Sequence, residues 1–175
     1  MKSALIIIDM QRDLFASPKH DADGLVERLN ALSRRIRASG GIIVFIQHEG
    51  LRGQPFDPES PGWQLLPDLV VEPGDIIVRK KSCDAFLDTN LVDLLRTHEV
   101  DRLVITGCAS DYCVDTTVRS ALARAYKTVV PADGHTVSDR PHLSAEKIIA
   151  HHNAIWADFI APAGPAVISR CADIA

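Results

Sequence analysis

The chain has 175 residues, enough for one domain around a single core, and 46% hydrophobic with 24% charged residues is a globular composition, neither disordered nor fibrous. Nineteen Lys and Arg against 23 Asp and Glu leave a net charge of -4. That balance supplies no basic footprint for nucleic acid and no cationic face for a membrane surface.

The first predicted strand, residues 4–8, is a continuous apolar run that stops on Asp9. In open α/β sheets ligands bind beyond the carboxyl ends of strands, so Asp9 either points into that crevice or simply turns the chain after the strand. Met10-Gln11-Arg12-Asp13-Leu14-Phe15 follows, which is not the Gly-rich turn of a dinucleotide site. Over residues 24–39 the apolar Leu25, Leu29, Leu32 and Ile36 recur at helical spacing opposite Arg34, Arg35 and Arg37, and Gly40-Gly41 ends the helix. Residues 42–46 form the second strand, and strand, helix, strand in this order implies a right-handed crossover in a parallel sheet.

An irregular stretch, 51–67, carries four prolines and Trp63. A loop this long inside a compact domain reads as a rim or lid. Residues 75–80 read as the third strand, ending in Lys80 and Lys81, which alternation places on opposite faces. A helix follows over 88–98, capped by Asp88 or Thr89. Leu103-Val104-Ile105 is the fourth strand, broken at Thr106-Gly107, after which Val114, Val118, Ala121, Leu122 and Ala125 mark a helix beginning near Asp111. Cys113 then lies in a first helical turn. Free N–H groups and the helix dipole would favour its thiolate there, unless it is a small apolar residue packing under the sheet. Residues 128–130 are the fifth strand, with His135 beyond its end, and a helix from Pro141 and an edge strand over 166–169 complete the chain.

No run approaches the roughly 18 apolar residues of a membrane span, and the N-terminus leads straight into a strand without a signal-peptide core. Cys83, Cys108, Cys113 and Cys171 form no CxxC pair and have no His partner at zinc spacing, so reduced thiols are expected. The expectation is a cytoplasmic protein, residues 1–175 forming one domain, with a small-molecule substrate and neither nucleic acid nor membrane as partner.

Gly107-Cys108-Ala109-Ser110-Asp111-Tyr112-Cys113-Val114 resembles the nucleophile turn of the isochorismatase-like cysteine hydrolases, which include nicotinamidases and carbamoylsarcosine amidases. The opening Asp9-Met10-Gln11-Arg12-Asp13-Leu14-Phe15 is similar to that family's DMQxDF pattern with Leu14 inserted, and Lys80, Asp84 and Phe86 fit its K-x-x-x-[SD]-x-F spacing. The resemblance implies a three-layer α/β/α, Rossmann-like fold with a doubly wound, six-stranded, mainly parallel sheet of order 3-2-1-4-5-6. It also implies a catalytic triad of Asp9, Lys80 and Cys113, an oxyanion hole from the backbone of Ala109 and Cys113, and a cis peptide between Cys108 and Ala109. The implied reaction is hydrolysis of a small amide through a thioester. The alternatives are isochorismatase-type vinyl-ether hydrolysis and a non-catalytic binding domain. Candidate walls for a small, planar or compact substrate are Phe15, His48, Trp63, Phe86, Tyr112 and His135. Metal-dependent nicotinamidases carry a DxH pair and a further His in the long loop; Gln47-His48-Glu49 departs from that, so neither metal nor cofactor is expected. A homodimer or homotetramer is implied as well.

Overall fold

Every residue of the first strand, β1 (Ser3–Ile8), is buried, and its side chains divide by parity. Ala4, Ile6 and Ile8 enter one apolar cluster, Leu5 and Ile7 the other. This is the signature of a central strand covered on both faces. The computed structural model describes residues 2–174; Met1 and Ala175, the two ends of the expected domain, lie outside them.

After β1 come α1 (Ala22–Ala38), β2 (Ile42–His48), β3 (Ile76–Lys80), α2 (Leu91–Thr97) and β4 (Arg102–Cys108). They are followed by α3 (Asp115–Ala123), β5 (Lys127–Pro131), β6 (His135–Thr136), α4 (Ala145–Ala157) and β7 (Val167–Ser169). The main path of the seven-stranded sheet is β3-β2-β1-β4-β5-β7, with β6 paired to β4 off that path, and all the pairings are parallel. The expected six-strand order is therefore present with β7 as its sixth member, and β6 is an addition. Two residues are too short to show alternation, which is why β6 left no trace in the pattern.

The α1 side chains Leu25, Leu29, Leu32 and Ile36 are fully buried on one face of the sheet. Leu91 and Leu95 of α2 and Val118, Ala121 and Leu122 of α3 close the other. Each fully buried side chain of this kind contributes about 1.5–3 kcal/mol of transfer free energy. The α2 helix starts later than the spacing predicts, and the Thr89 hydroxyl accepts the Leu91 N–H at 3.3 Å while donating to the Ala85 carbonyl at 2.7 Å.

The winding reverses between β1 and β4, because β1 leads outward to β2 and β3, and β4 to β5 and β7. Register aligns the strand ends there: Ile8 is paired with Ile46 on one side and Gly107 on the other, and His48 lies beside Lys80. Gly107 has a φ of 116°, and a Cβ on it would lie 2.2 Å from the Ile8 carbonyl oxygen. Only glycine lets β4 close on β1 at this point.

Candidate active site

Asp9 is the first residue past β1 and has a φ of 50°, the left-handed region, with its N–H held by the Ile46 carbonyl at 2.9 Å. That turn sets its carboxylate against β3. Strand alternation buries Val78 and Lys80 of β3 and leaves Lys81 exposed. The Lys80 ammonium, fully buried, lies 2.7 Å from Asp9 Oδ2 and 3.2 Å from Cys113 Sγ. It also donates to the Ser82 carbonyl at 2.9 Å and lies 3.4 Å from His48 Nδ1. Three side chains, the outermost of them 104 positions apart in the chain, thus meet where the winding reverses.

The charges in this cluster determine its protonation. Burial alone would lower the Lys80 pKa, but the Asp9 carboxylate and the Cys113 sulfur outweigh it, and the net shift is upward. Burial, and after it the Asp9 carboxylate, push the Cys113 thiol upward against the pull of Lys80. A helix start would favour the thiolate of Cys113, as Lys80 does, whereas burial and Asp9 oppose it. Ser110–Val114 is a single π-helical turn, and α3 begins only at Asp115, whose carboxylate occupies its first turn. Asp9 Oδ1 is buried and has no hydrogen-bond donor among the described residues, so it is open to a proton.

His48 has its pKa lowered by burial and then by Lys80, against the pull of Asp9. With an ammonium facing Nδ1, the ring accepts there and carries its proton on Nε2. Two buried amides fasten the surrounding loops. Gln11 accepts the His48 N–H at 2.8 Å and donates to the carbonyls of His48 and Trp63, and Gln47 donates to Trp63 at 3.0 Å.

The turn carrying Cys113 begins with a cis peptide between Cys108 and Ala109. On its inner side Ser110 Oγ lies 2.8 Å from His135 Nδ1, and His135 Nε2 lies 3.0 Å from Asn153 Oδ1. On its outer side Asp111 receives a bidentate pair from Arg140 at 2.8 and 2.9 Å, and the guanidinium covers the Tyr112 ring at 5.1 Å. The turn is therefore held from both flanks.

A cavity of about 320 Å³ opens over the cluster, lined by Asp9, Ala109 and Cys113. Of the six candidate wall residues, His48 and Tyr112 line it. The structure places the other four elsewhere. Phe15 borders a separate groove against α1, and Leu14 faces the cavity in its stead. Trp63 lies under the Arg79 guanidinium at 4.7 Å. Phe86 is a core residue stacked on Tyr126 at 5.8 Å. His135 is sealed beneath the turn, edge-on to Trp156 at 5.1 Å, and burial pushes its pKa down to about 4. The remaining lining comes from residues with no periodic signal: Phe56 of the long loop, Cys83, Ser17, Lys19, Ser138 and Arg140. Asp13 accepts the Phe56 N–H at 2.7 Å and so sets that ring at the rim. Among the described residues no group of three or more His, Cys, Asp or Glu is placed to hold a metal ion, and no helix is long and apolar enough to cross a membrane.

A family model described as an isochorismatase domain matches residues 3–158. A streptothricin hydrolase of Streptomyces noursei is 38% identical over 142 residues, which are 79% of this chain and 56% of that protein. The chain thus spans about half the length of the streptothricin hydrolases it matches. The crystal structure of an isochorismatase family protein superposes with a TM-score of 0.87 at 32% identity, over 95% of this chain and 96% of that one. The N-carbamoylsarcosine amidase from Thermoplasma acidophilum, 23% identical over 99% of both chains, shares the fold with a TM-score of 0.83.

Proposed function

The chain belongs to the isochorismatase family, and on that premise we propose that it is a cysteine-dependent hydrolase cleaving a small amide C–N bond through a thioester on Cys113. The observation that carries this reading is the Lys80 ammonium within reach of both the Asp9 carboxylate, at 2.7 Å, and the Cys113 sulfur, at 3.2 Å, at the floor of a lined cavity.

Burial favours the thiol form of Cys113, and this gives Asp9 its first task. As the sulfur adds to the substrate carbonyl carbon, the thiol proton passes to the Asp9 carboxylate, and Lys80 stabilises the negative charge developing on sulfur. The carbonyl oxygen, now an oxyanion, is received by the backbone N–H groups of Ala109 and Cys113. Asp9 returns the proton to the departing nitrogen as the C–N bond breaks, leaving an acyl thioester. A water then loses its proton to Asp9 and adds its oxygen to the thioester. The C–S bond breaks, the proton returns to sulfur, and the products are a carboxylic acid and an amine or ammonia. Two relatives matched in sequence, one named a streptothricin hydrolase and one a ureidoacrylate amidohydrolase, support hydrolysis of an amide.

The test is Cys113→Ala against a panel of small amides, scored by amine or ammonia release. We expect a loss of about 10⁴-fold or more in kcat, the scale seen when a nucleophile is removed. Retained hydrolysis excludes the scheme. Vinyl-ether hydrolysis needs only a general acid, so activity on isochorismate that survives in Cys113→Ala would transfer the assignment to that reaction.

A further inference from the structure

The ionic groups lining the cavity are compensated with one exception. Asp9 is paired with Lys80, and Arg140 is held by both oxygens of Asp111. Lys19, which also lines the cavity, has no carboxylate within ion-pair distance among the described residues. Its ammonium donates to the carbonyl and the hydroxyl of Ser17, at 3.0 and 2.7 Å, and lies 5.8 Å from the centre of the Phe15 ring. Two of its three hydrogens are thereby used, and no described residue accepts the third.

The position is built. The Ser138 hydroxyl donates to the Pro18 carbonyl at 2.6 Å, the His20 N–H to Val137 at 3.0 Å, and the Thr136 hydroxyl to His20 at 2.5 Å. These bonds fasten the segment carrying Lys19 to the strand that follows β5, on both sides of the residue. A chain of net charge -4 with 23 carboxylate side chains supplies none to this ammonium. Partial burial makes an unpaired cation costly, and an incoming anion would remove that cost.

We propose that Lys19 is a specificity-determining residue, and that the substrate is a small amide bearing a carboxylate at the end remote from the scissile carbonyl. The carbonyl lies over Cys113, and the carboxylate reaches the third hydrogen of Lys19, with Ser17 and Ser138 beside it. An amide carrying a cation at the same end meets Lys19 and Arg140 instead and is rejected. The inference rests on the amidohydrolase reading for its chemistry, but not for its binding.

The experiment separates the two. Malonamate, succinamate and glutaramate are compared with neutral and ammonium-bearing amides of matched length. Hydrolysis is read as ammonia release in the wild type, and binding as the ligand-induced rise in Tm of Cys113→Ala. The wild type is expected to favour one of the carboxylate amides over its neutral match by about 10–100-fold in kcat/KM, mostly through KM, the scale of one charge-assisted hydrogen bond. Lys19→Met is expected to erase the preference, Lys19→Arg to keep most of it, and Lys19→Glu to turn it toward the ammonium series. Anion-selective binding lost in Cys113→Ala/Lys19→Met, without turnover in the wild type, would support the subsite and count against the amidohydrolase. Turnover with no charge preference, a preference unchanged in Lys19→Met, or no binding of any carboxylate amide would overturn the inference.

Discussion

Two buried clusters flank the turn that carries Cys113, and on paper they are the same kind of object. Each joins a nucleophile-type side chain to a proton acceptor and a third orienting group: Cys113, Asp9 and Lys80 on one side, Ser110, His135 and Asn153 on the other. The first is charged and opens onto a cavity. The second is neutral and sealed, with Ser110 fully buried, His135 3% exposed, and Trp156 against the imidazole. Hydrogen-bond geometry therefore does not distinguish a reacting cluster from a supporting one. Access to a reactant and a pair of charged groups beside the nucleophile do.

Breaking the charged cluster should have the largest effect. Lys80→Met leaves the Asp9 carboxylate buried without its cation and takes the stabilising charge from the sulfur. We expect a loss of about 3–5 kcal/mol in unfolding free energy, the scale for removing one partner of a buried pair, together with at least about 10³-fold in kcat/KM. Denaturant unfolding and steady-state kinetics on one preparation would measure both. Lys81, one residue on and exposed, is the control: Lys81→Ala should change neither beyond error.

The neutral cluster should answer to pH rather than to chemistry. His135 has its pKa pushed from 6.5 down to about 4 by burial. Between those two values the unfolded chain takes up a proton that the native imidazole refuses. Native stability therefore falls as pH drops through that window, by up to about 3 kcal/mol from this residue, and levels off below it. His135→Gln should cost about 1–3 kcal/mol at pH 7, with the deficit shrinking toward pH 4, and should lower kcat by about tenfold at most. A parallel pH dependence in wild type and variant would show that another group governs it.

This contrast also marks what the sequence could and could not reveal. The apolar runs of β1, β2 and β4, each ending abruptly, disclosed the sheet and the places where Asp9 and Cys113 would stand. Alternation put Lys80 and Lys81 on opposite faces, and the motif spacing to Asp84 and Phe86 chose Lys80 between them. The cavity walls were less legible. Phe56 and Lys19 lie in loops whose course is set by a hydrogen bond accepted by Asp13 and by two donated from Thr136 and Ser138, and such bonds leave no period in the chain. His135 follows a strand, as a ligand-facing residue would, but β6 draws it against Gly107 and turns it inward. Phe86 fits the motif spacing and is held in the core by Tyr126.

The central claim is that the Cys113 sulfur becomes acylated after Asp9 has taken its proton. The direct measurement is intact and peptide mass spectrometry on enzyme acid-quenched during steady turnover of a cleaved amide. The account predicts an added acyl mass on the peptide containing Cys113, removable by hydroxylamine and absent from Cys113→Ala. Turnover in which that peptide stays unmodified, with Cys113→Ala retaining the wild-type rate, would contradict it.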